Sequence, residues 1–358
     1  MSSSIRVIQV GLGPIGLGAV SRMAARPDIR VVAAVDPDPA KAGRTLGELL
    51  RESAGTAGSD PGAAGNVRVQ PTLAEALAGL AERPQVAVHT TSSFLSVVAG
   101  QLVQLAEAGL NVVSTTEELS YPWWHHPDEA RAIDEAAKAH GVTVLGTGVN
   151  PGFVMDLLPV FLTGIAQEVE RVEAVRVVDA GTRRGPLQRK IGAGITPAEF
   201  EERKATGRFG HVGLPESVAM IAAGLGWSLA RIETSLRPVL AERPYASDVV
   251  RVEPGNVLGI DQVATGHDAS GRERIRLHLQ MYVGAPNPHD AVRLFGLPNL
   301  EFTVPAGVPG DGATVAAIVA ALPRVLAAPA GLKTVLDLPV PRWSDPGAAS
   351  VHRGGDAV

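Results

Sequence analysis

The stretch Ile8-Gln9-Val10-Gly11-Leu12-Gly13-Pro14-Ile15-Gly16 lies almost at the N-terminus and decides the fold. A short apolar strand, Val7 to Val10, runs into G-x-G-x-x-G, and a helix-compatible run follows from Leu17 to Ala25. A second apolar strand, Val31 to Val35, ends on Asp36, about 20 residues past the last glycine, the spacing of a dinucleotide-binding fold. Gly11 permits the tight turn, Gly13 lets the backbone approach a pyrophosphate, and Gly16 lets the helix pack closely on the strand. Pro14, Ile15 and Gly16 open a helix whose free N–H groups and positive end suit phosphate. Asp36 is placed to accept from an adenosine ribose 2′-hydroxyl.

The strand–helix alternation continues. Pro39 to Glu52 has helical periodicity, and Ser53 to Asn66, rich in Gly, Ala and Ser, reads as a surface loop. Val67 to Gln70 is a short strand, and Thr72 caps a helix through Ala81 with Glu75 at the capping-box position. Strands Val86–Val88, Val112–Val113 and Val142–Leu145 alternate with helices Leu95–Ala108 and Asp128–His140. That pattern means a doubly wound parallel sheet, whose ligands bind beyond the carboxyl ends of its strands. Three strand ends therefore matter together: His89 to Ser93, Thr115 to Glu118, and Gly146 to Gly152.

From Phe153 the pattern changes. A helix over 153–165 leads to a strand over 172–178, then helices over 197–205 and 215–225. Alternating strands follow over 235–240, 248–252, 257–264 and 274–283, read as antiparallel. The fold class expected is α/β, an N-terminal Rossmann sheet plus an α+β C-terminal domain for substrate and dimerisation. The expected domains are 1–150 for the dinucleotide, 151–310 for substrate, and 311–340 returning as a helix to the first domain, with a tail over 341–358.

Composition narrows the function. The chain has 358 residues, long enough for two cores, and a net charge of −5 leaves no basic footprint for nucleic acid. It has no cysteine, which excludes disulfides, thiolate-bound zinc and a cysteine nucleophile. No metal site is expected. Met1-Ser2-Ser3-Ser4-Ile5 enters the first strand with no visible signal peptide, so a cytoplasmic protein is expected. The apolar stretch Ala313–Leu332 contains Pro323 and Arg324, and reads as a buried helix rather than a membrane span.

The order Gly11-Leu12-Gly13-Pro14-Ile15-Gly16, Thr90-Thr91-Ser92-Ser93-Phe94, Ser114-Thr115-Thr116-Glu117-Glu118-Leu119-Ser120-Tyr121-Pro122-Trp123, Gly148-Val149-Asn150-Pro151-Gly152-Phe153 resembles 2,4-diaminopentanoate dehydrogenases and the related amine dehydrogenases. Lys190-Ile191-Gly192-Ala193-Gly194 and the run Gly210 to Ser217 extend the resemblance to about residue 330. The group is distantly similar to dihydrodipicolinate reductase. That enzyme's paired histidines, lysine and Ser-Gly-Thr are missing from the second half here. His125-His126 follows Trp123-Trp124 in the first half, without the matching sequel.

The resemblance implies NAD(P)-dependent, reversible deamination of a primary amine to a ketone or aldehyde and ammonia, in a homodimer. It also implies a catalytic glutamate in the Thr-Thr-Glu-Glu stretch. A carboxylate there pairs with the ammonium and then acts as general base on water. Sequence leaves Glu117 and Glu118 both open, with Glu117 favoured as nearer the strand end. Thr90, Thr91, Ser92 and Thr116 are candidates for cofactor contacts, against ordinary strand-end capping. Asn150 is expected to cap the next helix and to present its amide to cofactor or substrate. Tyr121, Trp123, Trp124, Asn150, Pro151, Gly152 and His211 are candidates for the pocket. Arg183, Arg184 and Lys190 form a basic cluster that would clamp a substrate carboxylate or simply face solvent. Asp36 favours NAD, while Lys41 and Arg44 leave NADP possible. Two other readings remain: a reductase-like or homoserine dehydrogenase-like oxidoreductase, and a non-catalytic dinucleotide-binding protein.

Overall fold

The computed structural model describes residues 4–53, 62–183 and 185–345. The alternating half reads β1 (Ile5–Val10), α1 (Pro14–Ala24), β2 (Ile29–Val35), α2 (Leu46–Glu52), β3 (Val69–Gln70), α3 (Leu73–Leu77), β4 (Val86–His89), α4 (Leu95–Glu107), β5 (Asn111–Ser114), α5 (Pro127–Ala139) and β6 (Thr143–Gly146). Then come α6 (Leu157–Leu162), β7 (Glu168–Asp179), α7 (Gly185–Lys190), α8 (Pro197–Ala205), α9 (Leu214–Gly224), β8 (Arg231–Leu240), β9 (Tyr245–Ala246) and β10 (Arg251–Val252). The chain closes with β11 (Val257–His267), β12 (Glu273–Tyr282), β13 (His289–Leu297), β14 (Leu300–Pro305), α10 (Gly310–Ala327) and β15 (Gly331–Lys333).

The first sheet has the order β15-β6-β5-β4-β1-β2-β3 and is parallel throughout. Its direction of winding reverses between β1 and β4, and ligands bind at such a crevice. β4 and β6 are buried at every position, because helices cover both faces. One core lies on the α1 and α10 side and another on the α4 and α5 side.

The second sheet has the order β14-β13-β7-β12-β11-β8. It is mixed: β7 and β12 pair in parallel, which corrects the all-antiparallel expectation. α6 and α9 pack on one face over Val172, Ala264 and Leu277. The opposite face carries cross-strand polar pairs, with Arg293 bridging Glu173 and Glu301, and Asp261 bonded to His278 and Gln280.

Several boundaries differ from the sequence reading. The helix expected over 39–52 shrinks to α2, since Gly43 adopts φ +82° and Thr45 starts the helix with a capping box to Glu48. The helix expected over 153–165 shrinks to α6 and a 3-10 turn, because Gly152 has φ +123° and Asp156 caps at the later position. The strand expected over 248–252 is only β10. The loop read over 53–66 is a 3-10 turn at Gly62–Asn66, and residues 54–61 lie outside the described residues.

α10 is long and apolar enough to cross a membrane. It instead buries Ile318, Val319, Leu322 and Val325, and lies against α1 with Gly18 facing Val315. β15 follows it and extends the first sheet beside β6. Of the tail, residues 346–358 lie outside the described residues.

Candidate active site

The glycine loop is braced from beneath. Gly11 has φ +85°, and a Cβ there would stand 2.7 Å from the Thr90 carbonyl oxygen. A Cβ on Gly16 would meet the Gly11 oxygen at 2.1 Å, so only glycine fits. Above Gly13 the space is open, with nothing within 4 Å of a Cβ position. No side chain caps the first turn of α1, so its amides have no competing side-chain acceptor. Pro14 and Ile15 occupy that turn. The open cradle and the uncapped helix end fit a pyrophosphate.

Strand-end hydroxyls behave differently from the expectation. Thr90 Oγ1 donates to the Gly11 carbonyl at 2.8 Å and accepts from Gln9 Nε2 at 2.9 Å. It props the glycine loop, a role that the sequence reading missed along with Gln9. Thr116 is buried and donates to the Ser92 carbonyl at 2.8 Å, so its hydroxyl is not free for a cofactor. Ser92 Oγ accepts from Phe94 N at 3.2 Å at the start of α4. Thr91 is exposed and bonds His89 and Gln101. Beneath them His89 is fully buried against Ser114 and Gln101, and burial pushes its pKa down to about 4.

Asp36 is 6% exposed and heavily engaged. Its Oδ2 accepts from Leu12 N at 2.8 Å and from Lys41 Nζ at 3.0 Å. Arg44 is bonded to Glu52 and to the Ala40 carbonyl.

The two glutamates after β5 have different surroundings. Glu118 Oε2 accepts from Leu95 N at 2.6 Å, at the N-terminus of α4, and lies 3.1 Å from His126 Nε2. A carboxylate there satisfies an orphan amide and faces the positive helix end. Glu117 makes no such cap. Burial pushes its carboxyl above the ordinary value, against the opposing pull of the Ser93 hydroxyl and the Lys190 charge. A Cβ on Gly213 would lie 3.2 Å from Glu117 Cβ and 2.5 Å from Pro151 Cγ. Three chain segments therefore meet at Glu117: the end of β5, the turn after β6, and the start of α9.

Around this junction the second half supplies polar support. Asn150 Nδ2 donates to His211 Nε2 at 3.0 Å, which assigns the His211 proton to Nδ1. His211 is held neutral, its pKa pushed down to about 3 by burial first and by Lys190 and Arg176 next. Gln262 clasps the His211 backbone on both sides, at 2.9 Å each. Asn150 Oδ1 is buried with no hydrogen-bond partner among the described residues, an acceptor that suits a donor on a bound ligand. Asn150 does not cap α6. That task falls to Asp156, whose fully buried carboxylate accepts from Leu157 N (2.6 Å), Gly152 N (2.8 Å) and Ser217 Oγ (2.8 Å). Burial raises its pKa, while those three donors oppose the rise. A lone acid within Phe153-Val154-Met155-Asp156-Leu157-Leu158 was the sequence signal for this anchor.

Tyr121 meets Trp123 edge-on, centroids 5.2 Å apart, and packs into the first core. Trp123 and Trp124 are 39% and 38% exposed. His125, next in line, reaches Glu216 of α9 at 3.0 Å, and that contact raises its pKa. Of the basic cluster, Arg183 pairs with Asp311 at 2.8 Å, and Arg184 lies outside the described residues. Lys190 is exposed, has no ion pair among the described residues, and acts by charge on both Glu117 and His211.

Residues 153–350 match the family model for the 2,4-diaminopentanoate dehydrogenase C-terminal domain. The chain is 32% identical over 345 residues to a 2,4-diaminopentanoate dehydrogenase of Acetoanaerobium sticklandii, covering 94% of each. It is 25% identical over 366 residues to an amine dehydrogenase of Streptomyces virginiae, covering 94% of this chain and 96% of that one. Among solved structures, an amine dehydrogenase from Mycobacterium smegmatis superposes with a TM-score of 0.81 at 28% identity, covering 96% of this chain and 98% of that one. With the Rossmann order of its first sheet and a family match over its second half, the chain belongs to the 2,4-diaminopentanoate dehydrogenase family.

Proposed function

We propose that this dehydrogenase catalyses the reversible oxidative deamination of a primary amine, with a nicotinamide dinucleotide as hydride acceptor. The observation that carries the reading is the position of Glu117, half-buried at the junction of β5, the Asn150-Pro151-Gly152 turn and the start of α9. The names of the relatives support the same chemistry. Residues 1–150 would hold the dinucleotide, 151–310 the substrate, and 311–340 tie back to the first sheet.

Glu117 acts in its ionised form. Its carboxylate pairs with the substrate ammonium and takes one proton, leaving a neutral amine. The bound nicotinamide supplies a two-electron acceptor for the hydride on the amine-bearing carbon. Glu117 releases that proton to solvent, takes a second one from the water that adds to the substrate iminium carbon, returns it to the carbinolamine nitrogen, and accepts the hydroxyl proton as the carbinolamine collapses. The C–N bond breaks, ammonia leaves, and the carbonyl product remains. The Asn150–His211 bond joins the two segments, through Pro151 and Gly213, that meet at Glu117, and Gly11, Gly13 and Gly16 shape the phosphate cradle. Both NAD and NADP are accepted in this reading.

Lys190 supports a substrate that carries a carboxylate, such as 2,4-diaminopentanoate, since Arg183 is already paired. A homodimer across the helix-free polar face of the second sheet, in the cytoplasm, completes the reading. Light scattering after size exclusion tests the dimer. The central experiment measures NAD and NADP reduction at alkaline pH with 2,4-diaminopentanoate and with cyclohexylamine. Turnover of the diamino acid, with a KM raised about tenfold in Lys190→Met and that of cyclohexylamine unchanged, supports the carboxylate partner. Turnover of cyclohexylamine alone assigns an apolar pocket, and silence on both sinks the amine reading.

A further inference from the structure

His125-His126 sits at the seam between the two halves and takes no part in the chemistry of Glu117. Its backbone is fixed. His126 N donates to the Pro122 carbonyl at 2.7 Å, and the His126 carbonyl accepts from Ala130 N at 2.9 Å as α5 begins. The two imidazole planes stand 80° apart, so the rings serve different partners. His126 Nε2 lies 3.1 Å from Glu118 Oε2, in the first half. His125 Nδ1 donates to Glu216 Oε1 at 3.0 Å, in the first turn of α9 in the second half. Glu216 is 3% exposed, and His125 is its one side-chain partner among the described residues. A carboxylate buried against a single donor depends strongly on that donor.

These contacts close a ring around Glu117. Glu117 is joined to Glu118 by the chain, Glu118 meets His126, and His125 meets Glu216. The ring closes at Gly213, the N-cap of α9, where a Cβ would stand 3.2 Å from Glu117 Cβ and 2.5 Å from Pro151 Cγ. Ser217, next to Glu216, ties the same turn to Asp156 at 2.8 Å. The start of α9 is therefore held by two side-chain ties, one to the turn after β6 and one to His125.

We propose that His125 is a positioning residue for the amine chemistry: its bond to Glu216 holds the start of α9 against Glu117 and so fixes the Glu117 carboxylate relative to the substrate. The proposal rests on the role of Glu117 in the functional reading. Charge gives the tie a pH dependence. Facing His125 are Glu216 from α9 and Glu118 from the turn after β5. His126 stands beside it, with Glu129 of α5 3.9 Å from His126 Nδ1. The Glu216 hydrogen bond raises the His125 pKa, burial opposes the rise, and the Glu216 and Glu118 charges add to it. The His125 side chain is 46% exposed, so it exchanges protons with solvent. The imidazolium makes a charge-assisted bond and the neutral ring an ordinary one. The tie is therefore tightest below the raised pKa and slackens as pH rises through it.

The test measures kcat for 2,4-diaminopentanoate and cyclohexylamine at pH 6 and pH 9, beside backbone hydrogen exchange over residues 213–217. His125→Ala is expected to lower kcat about tenfold, the scale of a lost hydrogen bond to a charged group, and to speed exchange at the start of α9. NADH binding should stay within about threefold, because the phosphate cradle lies on other elements. His125→Gln keeps a donor but cannot titrate. It should match the parent at pH 9 and fall about threefold below it at pH 6, where only the parent carries the charge. Glu216→Gln combined with His125→Ala should lose no more kcat than His125→Ala alone, since both act through one bond. A His125→Ala protein that is less stable but keeps its kcat would show a structural support only, and overturns the proposal. Unchanged exchange over 213–217 overturns it too. So do parallel pH profiles for the parent and His125→Gln, a comparison that stands even where His125→Ala does not fold. A parent silent with both amines sinks the Glu117 reading and takes this proposal with it. An active parent whose kcat survives His125→Ala sinks this proposal alone.

Discussion

Glu118 accepts a 2.6 Å hydrogen bond from the backbone amide of Leu95, so one of two adjacent glutamates is the N-terminal anchor of α4. The neighbouring Glu117 is half-buried and has no such duty. The pair therefore separates by experiment. Glu118→Gln is expected to keep turnover within about tenfold and to lower stability by about 1 kcal/mol, the scale of a lost helix cap. Glu117→Gln is expected to lose about 10²–10⁴ in kcat, the range for a general base, with cofactor binding intact. Steady-state kinetics beside thermal unfolding check both. Equal kinetic losses would remove the distinction.

Lys190 tunes Glu117 through charge. Its positive charge opposes the upward push of burial on the Glu117 carboxyl. In Lys190→Met the acidic limb of the kcat/KM profile should therefore move to higher pH. The shift should shrink in high salt, because Lys190 is exposed and its field is screened. An unmoved limb would mean that Glu117 does not feel Lys190 in solution.

Two histidines set an acid sensitivity. His89 and His211 have folded pKa values depressed to about 4 and about 3. Between those values and about 6.5, the unfolded chain binds more protons than the folded one. Stability is complete above the unfolded value and is lost as pH falls through the folded ones. His89 alone accounts for roughly 3 kcal/mol of that loss, at about 1.4 kcal/mol per unit. Urea unfolding of His89→Gln at pH 7 and pH 4.5 should show a smaller fall than the parent.

The Asp156–Ser217 bond ties the turn after β6 to α9, which starts beside Glu117. Ser217→Ala removes one donor from a fully buried carboxylate and should cost about 1–3 kcal/mol. It should also reduce kcat, since Gly213 and Pro151 both shape the Glu117 site. A stable variant with unchanged kcat would show that the tie is not transmitted to the site.

The glycines distinguish binding from folding. Gly13→Ala meets no protein atom, so thermal stability should hold while NADH affinity drops by about tenfold or more. Gly16→Ala drives a methyl into the Gly11 carbonyl and should lose both. Calorimetry with NADH titration reads the two together.

Much of the first half was legible because its signals are local. Apolar runs bounded by glycine, Thr72 ahead of Leu73, and the glycine spacing each act within a few residues. The second half was harder. β13 and β14 carry weak alternation around Gly296-Leu297-Pro298-Asn299, and β15 is only three residues long. Lys41 was identified as a possible phosphate partner, but its pairing with Asp36 was not.

The glycine loop, the strand–helix alternation and the carboxylate pair after β5 are readable from the chain alone, since backbone geometry and hydrophobic period are set by near neighbours. Only the tertiary structure decided that Glu118 caps α4, that Asp156 reaches Ser217 of α9, and that β7 lies parallel to β12. Those pairings join residues far apart in the chain. Which donor meets which acceptor depends on where each strand end and helix end points once the cores have closed.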